Sequence, residues 1–225
     1  MIPIRDENPV TLAPVVNWAL LGACVVVFLW QMSLGAGGFN RAVFAFGVIP
    51  AVLSGQAELA PQLAVIPPAA TVVSSMFLHG GFLHLAGNML YLWIFGDNVE
   101  DRMGHVRYVV FYVACGVAAV FAQVLPDMDS RIPMIGASGA ISGVLGAYLY
   151  LYPRARVLVV VPIGFILRTM RMPASWVLGL WFLIQLISSL FASQGEGGVA
   201  FRAHLGGFVA GLVLAPLLVR WRGAP

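Results

Sequence analysis

The sequence predicts an all-α polytopic membrane protein, a six-helix transmembrane bundle formed by a single domain over residues 1–225 with both termini cytoplasmic. Three observations carry this. Hydrophobic residues make up 60% of the chain and charged residues 9%, against roughly 25% charged in soluble domains. With a mean hydropathy of +0.93, the surface is suited to lipid rather than water. Six apolar stretches, at about 12–32, 74–95, 106–125, 137–152, 174–193 and 199–219, approach the roughly 20 residues a helix needs to cross about 30 Å of hydrocarbon. The third observation is the arginine distribution. With the N-terminus inside, Arg5, Arg102, Arg107, Arg154, Arg156, Arg168, Arg171, Arg220 and Arg222 are internal, and only Arg41, Arg131 and Arg202 are external, a positive-inside bias. The net charge of +3 is spread along the chain and contains no Lys, so no basic stripe for nucleic acid exists. Disorder is excluded by the same composition.

The first stretch is read as a retained anchor, because the mixed Arg5-Asp6-Glu7 segment before it is not the basic start of a cleavable signal. The loop that follows, about 33–73, is too apolar for a simple turn, and Phe39, Val43, Phe44, Phe46, Val48 and Ile49 predict short helices in the interface. Spans two, four and six then run from outside to inside. Between spans five and six, residues 194–198 hold three glycines in five positions and predict a mobile loop. Cys24 and Cys115 lie in apolar runs and read as small buried hydrophobes.

Polar residues inside the spans are the informative ones, since each is costly in lipid unless paired or functional. They are His79, His84 and Asn88 in the second span, Gln123 in the third, Ser138 and Ser142 in the fourth, Gln185, Ser188 and Ser189 in the fifth, and His204 in the sixth. Counting from the charged inner ends at ~1.5 Å per residue puts His84, Ser138 and His204 roughly 6 to 10 Å beneath the outer boundary. His84 and Asn88 share a helix face. Gly139, Gly143, Gly146 and Ala147 on the fourth span, and Ala203, Gly207, Ala210 and Gly211 on the sixth, allow close backbone approach. Matching Ser138 with His204 brings Gly146 opposite Gly211. A Ser and a His at one depth on adjacent helices suit a nucleophile whose proton passes to imidazole. Free N–H groups at the start of the fourth helix, with His84 and Asn88 as side-chain donors, would stabilise an oxyanion.

These residues resemble the rhomboid family of intramembrane serine proteases. The resemblance lies in His79-x4-His84-x3-Asn88, the run from Phe95 to Gly104, Gly136-Ala137-Ser138-Gly139, and Ala203-His204-x2-Gly207-x3-Gly211. It implies a protease that cuts membrane proteins in or near their transmembrane segments, close to the outer face of a bacterial plasma membrane. In that family Ser138 would be the nucleophile and His204 the base. His84 and Asn88 would form the oxyanion hole with the Ser138 N–H, alongside Gly136 and Gly139, while His79, Glu100, Gly207 and Gly211 would be structural. Residues 195–198 resemble a loop capping the site, and the fifth span, with Trp181 and Phe182, an element that admits substrate. Two departures stand out. The region before His79 reads Pro67-Pro68-Ala69-Ala70-Thr71-Val72 where many members carry a Trp-Arg pair, and Ser142 replaces an aromatic that stacks on the catalytic His. No cofactor and no metal are implied, since the histidines have no acidic or Cys partner and no H-E-x-x-H occurs. The expected partners are transmembrane protein substrates and the lipid bilayer, not nucleic acid. His105 reads as solvated and Gln185 as joining helices. The alternative is a catalytically inactive rhomboid-like protein that binds membrane helices.

Overall fold

In the computed structural model, residues 1–164, 166–191 and 200–219 are described. The predicted loop at 194–198 lies outside them. A strand, β1 (Ile2–Asp6), precedes α1 (Val15–Ser33), and the segment that follows carries α2 (Gly35–Phe46), α3 (Pro50–Leu53), α4 (Pro68–Ser74) and a 3-10 turn (Ser75–Phe77). Then come α5 (Phe82–Met103), α6 (His105–Val124), α7 (Ser138–Leu151), the strands β2 (Arg156–Ile163) and β3 (Ile166–Pro173), α8 (Ala174–Phe191) and α9 (Phe201–Leu218). The chain is a multi-pass helical membrane protein. Helices α1, α6, α8 and α9 are each long and apolar enough to cross a membrane, and α5 joins them when taken with the bent segment before it. At 14 residues, α7 is only about 21 Å long.

Helix α7 occupies the centre. Every residue from 139 to 148 is buried, and Tyr148, Leu145, Phe95, Tyr108 and Phe111 fill the surrounding core. Cys24 and Cys115 are both fully buried there and unbridged. Small residues bring α7 against α9: a Cβ on Gly207 would strike the carbonyl of Gly139, and one on Gly211 the carbonyl of Gly143. The two helices therefore run parallel, in register four residues at a time. Gly211 thus faces Gly143, about one turn before the expected Gly146, which meets the backbone at Phe208 and Leu212. The four-residue spacing of Gly139 and Gly143 matches that of Gly207 and Gly211, and this match sets the register.

The second predicted span changes at both ends. Residues 68–77 form α4 and the 3-10 turn, bent 80° from α5, because Leu78 and Gly81 are extended. At the other end α5 continues to Met103, because the acidic residues of its last turns have partners. The buried Glu100 carboxylate accepts from the N–H groups of Val16 (3.0 Å) and Asn17 (2.7 Å) and caps α1. Asp101 accepts from Thr11 and Leu12. His105, expected to be solvated, is the first residue of α6 and its Nδ1 lies 2.6 Å from Glu100.

The bundle is helical as expected, and a three-stranded antiparallel sheet, ordered β1-β2-β3, is added to it. Val157 and Val159 on β2 are fully buried against the helices, and the hairpin turns at Gly164, where φ is +60°. Asp6 closes β1 onto the bundle, accepting from the Tyr148 hydroxyl (2.6 Å) and Asn98 (3.0 Å). Burial pushes its carboxyl up to about 6, with Asp97 adding to the effect.

Candidate active site

The N-terminus of α7 and the first turns of α9 meet at the end of the bundle away from the sheet. Ser138 Oγ lies 2.8 Å from His204 Nε2. On the other side of the ring, His204 Nδ1 lies 2.7 Å from Gln185 Oε1 on α8. An amide oxygen only accepts, so Nδ1 carries the proton and Nε2 is left to accept from the Ser138 hydroxyl. Trp181, one turn before Gln185, places its ring 6.0 Å from that of His204 at 37°. The Ser142 hydroxyl donates to the Ser138 carbonyl at 2.6 Å, the back-bond open to any helical serine. The aromatic support missing from α7 is thus provided by α8.

Helix α7 starts without a side-chain cap, so the Ser138 N–H is among its unpaired first donors. Just before it, Gly136 has φ +123°, a conformation that side chains avoid. A Cβ there would lie 2.7 Å from His84 Nε2 and 3.7 Å from Asn88 Nδ2. Gly136 is therefore needed twice, for its backbone angle and for the two side chains covering it. The Gly80 N–H donates to His84 Nδ1 at 3.3 Å, which makes Nε2 the protonated nitrogen facing Gly136. Asn88 Nδ2 is buried and has no hydrogen-bond partner, an expensive state unless a ligand arrives. Two donors and an open helix start thus converge beside the Ser138 hydroxyl. A cavity of about 30 Å³ adjoins it, lined in part by Ser75, Met76, Gly136 and Gly139. A larger one, about 160 Å³, lies at the sheet end by Asp6, Asn17 and Asp97.

A family model described as the Rhomboid domain matches residues 68–221. The chain belongs to the rhomboid family. Among similar proteins, the mitochondrial rhomboid protein 1 of Saccharomyces cerevisiae is 30% identical over 183 residues, covering 78% of this chain and 50% of its own. Rhomboid protease GluP of Bacillus subtilis is 31% identical over 147 residues, 65% of this chain and 25% of its own. RHOMBOID-like protein 5 of Arabidopsis thaliana is 40% identical over 78 residues, 35% of this chain and 25% of its own. The chain spans half or less of the length of these rhomboid relatives.

Among the remaining motif residues of this rhomboid, His79 lies beside that centre. His79 is fully buried and stands edge-on to His84, ring centroids 5.2 Å apart, while its N–H donates to Gln31 on α1 at 3.0 Å. Glu100 lies at the far end of α5, and Gly207 and Gly211 form the α9 contact described above. In place of a Trp-Arg pair, the long loop is held by the Val48–Met134 bridge, by the Ser74 hydroxyl donating to the Phe46 carbonyl at 2.7 Å, and by Trp30 edge-on to Phe46. Among the described residues, no three His, Cys, Asp or Glu side chains gather as metal ligands. The residue that sequence reasoning undervalued is Gln185. Its signal was its spacing from Trp181, since residues four apart share a helix face and both touch His204.

Proposed function

We propose that this rhomboid is an intramembrane serine endopeptidase that hydrolyses peptide bonds in or near transmembrane segments of other membrane proteins, using Ser138 and His204 as a dyad. The observation carrying this reading is the 2.8 Å approach of Ser138 Oγ to His204 Nε2 next to an unpaired buried donor on Asn88. Ser138 Oγ attacks the substrate carbonyl carbon as its proton passes to His204 Nε2. The Ser138 N–H, His84 Nε2–H and Asn88 Nδ2–H hold the oxyanion, Gly136 keeping the space and Gly139 the approach of α9. As the tetrahedral species collapses, His204 returns the proton to the departing amine. Water then attacks the acyl-enzyme, its proton taken by His204, and the acid and the Ser138 hydroxyl are released. This dyad needs no metal or cofactor.

Water access supports the assignment of depth. A helix of about 21 Å reaching one boundary stops some 9 Å short of the other, which leaves Ser138 near a membrane surface rather than at the midplane. The arginine distribution supports an extracytoplasmic position for that surface and cytoplasmic termini. On this reading the 225 residues act as one membrane unit in a bacterial plasma membrane.

The test uses purified protein in liposomes with a single-span substrate. Wild type should cut it, whereas Ser138→Ala and His204→Ala should each lose activity by about 10⁴-fold or more. Labelling by a fluorophosphonate that persists in Ser138→Ala would sink the nucleophile assignment, and a folded wild type without cleavage would leave the helix-binding alternative.

A further inference from the structure

Resting on the dyad reading above, we infer that Gln185 is a positioning residue for catalysis: its amide oxygen fixes the His204 tautomer and thereby couples the proton acceptor to the packing of α8. Neutral imidazole carries one proton on either nitrogen, and only the form with a bare Nε2 accepts from the Ser138 hydroxyl. A donor or acceptor on the opposite nitrogen decides between the two forms. In the familiar serine triad a carboxylate does this, and loss of its charge with the wrong tautomer is severely damaging.

Several elements present groups to the His204 ring. From α7 comes Ser138 at Nε2. From α8 come Gln185 at Nδ1 and the Trp181 ring. From α5, His84 is the titratable group that faces His204 among the described residues, and Phe201, on α9 itself, packs edge-on to the ring. From α6, Gln123 reaches the Ala203 N–H instead. Among the described residues no carboxylate hydrogen-bonds to His204, so selection of the tautomer falls to Gln185.

The geometry carries a second consequence. Gln185 and Trp181 both belong to α8, so any displacement of that helix withdraws the acceptor and the ring from His204 together. The base is then set for proton transfer only while α8 is seated.

The experiment compares wild type, Gln185→Leu and Gln185→Glu in liposomes, measuring the fluorophosphonate labelling rate at Ser138, kcat and KM for a single-span substrate, and the pH dependence of kcat/KM. The probe needs an activated Ser138 but no transmembrane binding, so it separates positioning of His204 from substrate entry. Gln185→Leu leaves Nδ1–H unpaired and should slow labelling and kcat by about 5- to 150-fold with KM unchanged. Gln185→Glu restores an acceptor, should recover most of the labelling, and should move the acid limb of the profile to higher pH, because a neighbouring negative charge favours imidazolium. Labelling of Gln185→Leu at the wild-type rate would overturn the inference, as would a Glu variant as slow as Leu or one with an unshifted limb. Should the Leu variant fail to fold, the limb of the Glu variant decides. A wild type that neither labels at Ser138 nor cleaves would instead remove the proposed function itself.

Discussion

Helices α7 and α8 both reach His204, one through Ser138 and the other through Gln185, and they are packed in opposite ways. Helix α7 is buried along nearly its whole length and locked to α9 by backbone contacts that only glycine permits. Helix α8 has just 17% of its span buried and turns Trp176, Leu183, Ile187 and Leu190 outward. The difference teaches where precision is kept. In the proposed mechanism Ser138 is set by an interface without slack, while Nδ1 of His204 is held by the helix best able to shift. Local stability differs across a structure, and elements that move come from its weakly packed part.

The largest test of this contrast is a matched pair of glycine substitutions. Gly207→Ala drives a methyl into the Gly139 carbonyl and should cost about 1–3 kcal/mol or more, seen as a lower melting temperature together with loss of labelling at Ser138. Gly179→Ala on α8 meets nothing within 4 Å and should leave melting and labelling as they are or raise stability by about 0.5–1 kcal/mol. Equal damage from both would erase the distinction. On the α8 side, Trp181→Ala removes the ring beside His204 and should slow labelling by about 2- to 10-fold while melting moves little. A large melting shift would mean that α8 is structural after all. Asn88, a proposed oxyanion donor, is buried on α5 away from α8, so Asn88→Ala should lower kcat by about 10²- to 10³-fold without altering the response to α8 variants.

The smallest effect concerns the other end of α7, pinned by Asp6 through Tyr148. Burial raises the Asp6 carboxyl from its ordinary value of 3.8 to about 6, so the folded state binds its proton more tightly than the unfolded one. Its contribution is then fully present below pH 3.8 and is lost as pH rises through about 6. Asp6→Asn should flatten this part of the stability profile, measured by thermal melting across that window. An unchanged slope would show that Asp6 does not set it.

The parts legible in sequence were those with local signatures. Glycines at spacings of three and four announced the α7–α9 contact, and the His84–Asn88 pair announced one face of α5. What stayed hidden depended on rotation and distance. The rotation of α8, which turns Gln185 and not Ser188 toward His204, follows from packing of Trp181 and Phe182 on Phe208, and no periodicity within an all-apolar helix fixes it. The extension of α5 through Glu100 and Asp101 was masked because their partners lie more than 80 residues earlier. The hairpin had a usable sign in its β-branched run Val157, Val159, Val160 and Val161 before Gly164, which favours strand over helix.

The pairing of β1 with β2 has a consequence for topology and biosynthesis. Strands that share hydrogen bonds must emerge on the same side of the bilayer, so the number of crossings between them is even. Of the helices between β1 and β2, four, α1, α5, α6 and α7, are candidates to cross, and the parity holds only if the short α7 counts as a full crossing. At roughly 5–20 residues per second, β1 waits for some 8 to 30 s after its own synthesis before β2 exists. Closure of this sheet is therefore a late event that records correct insertion of all the helices before it.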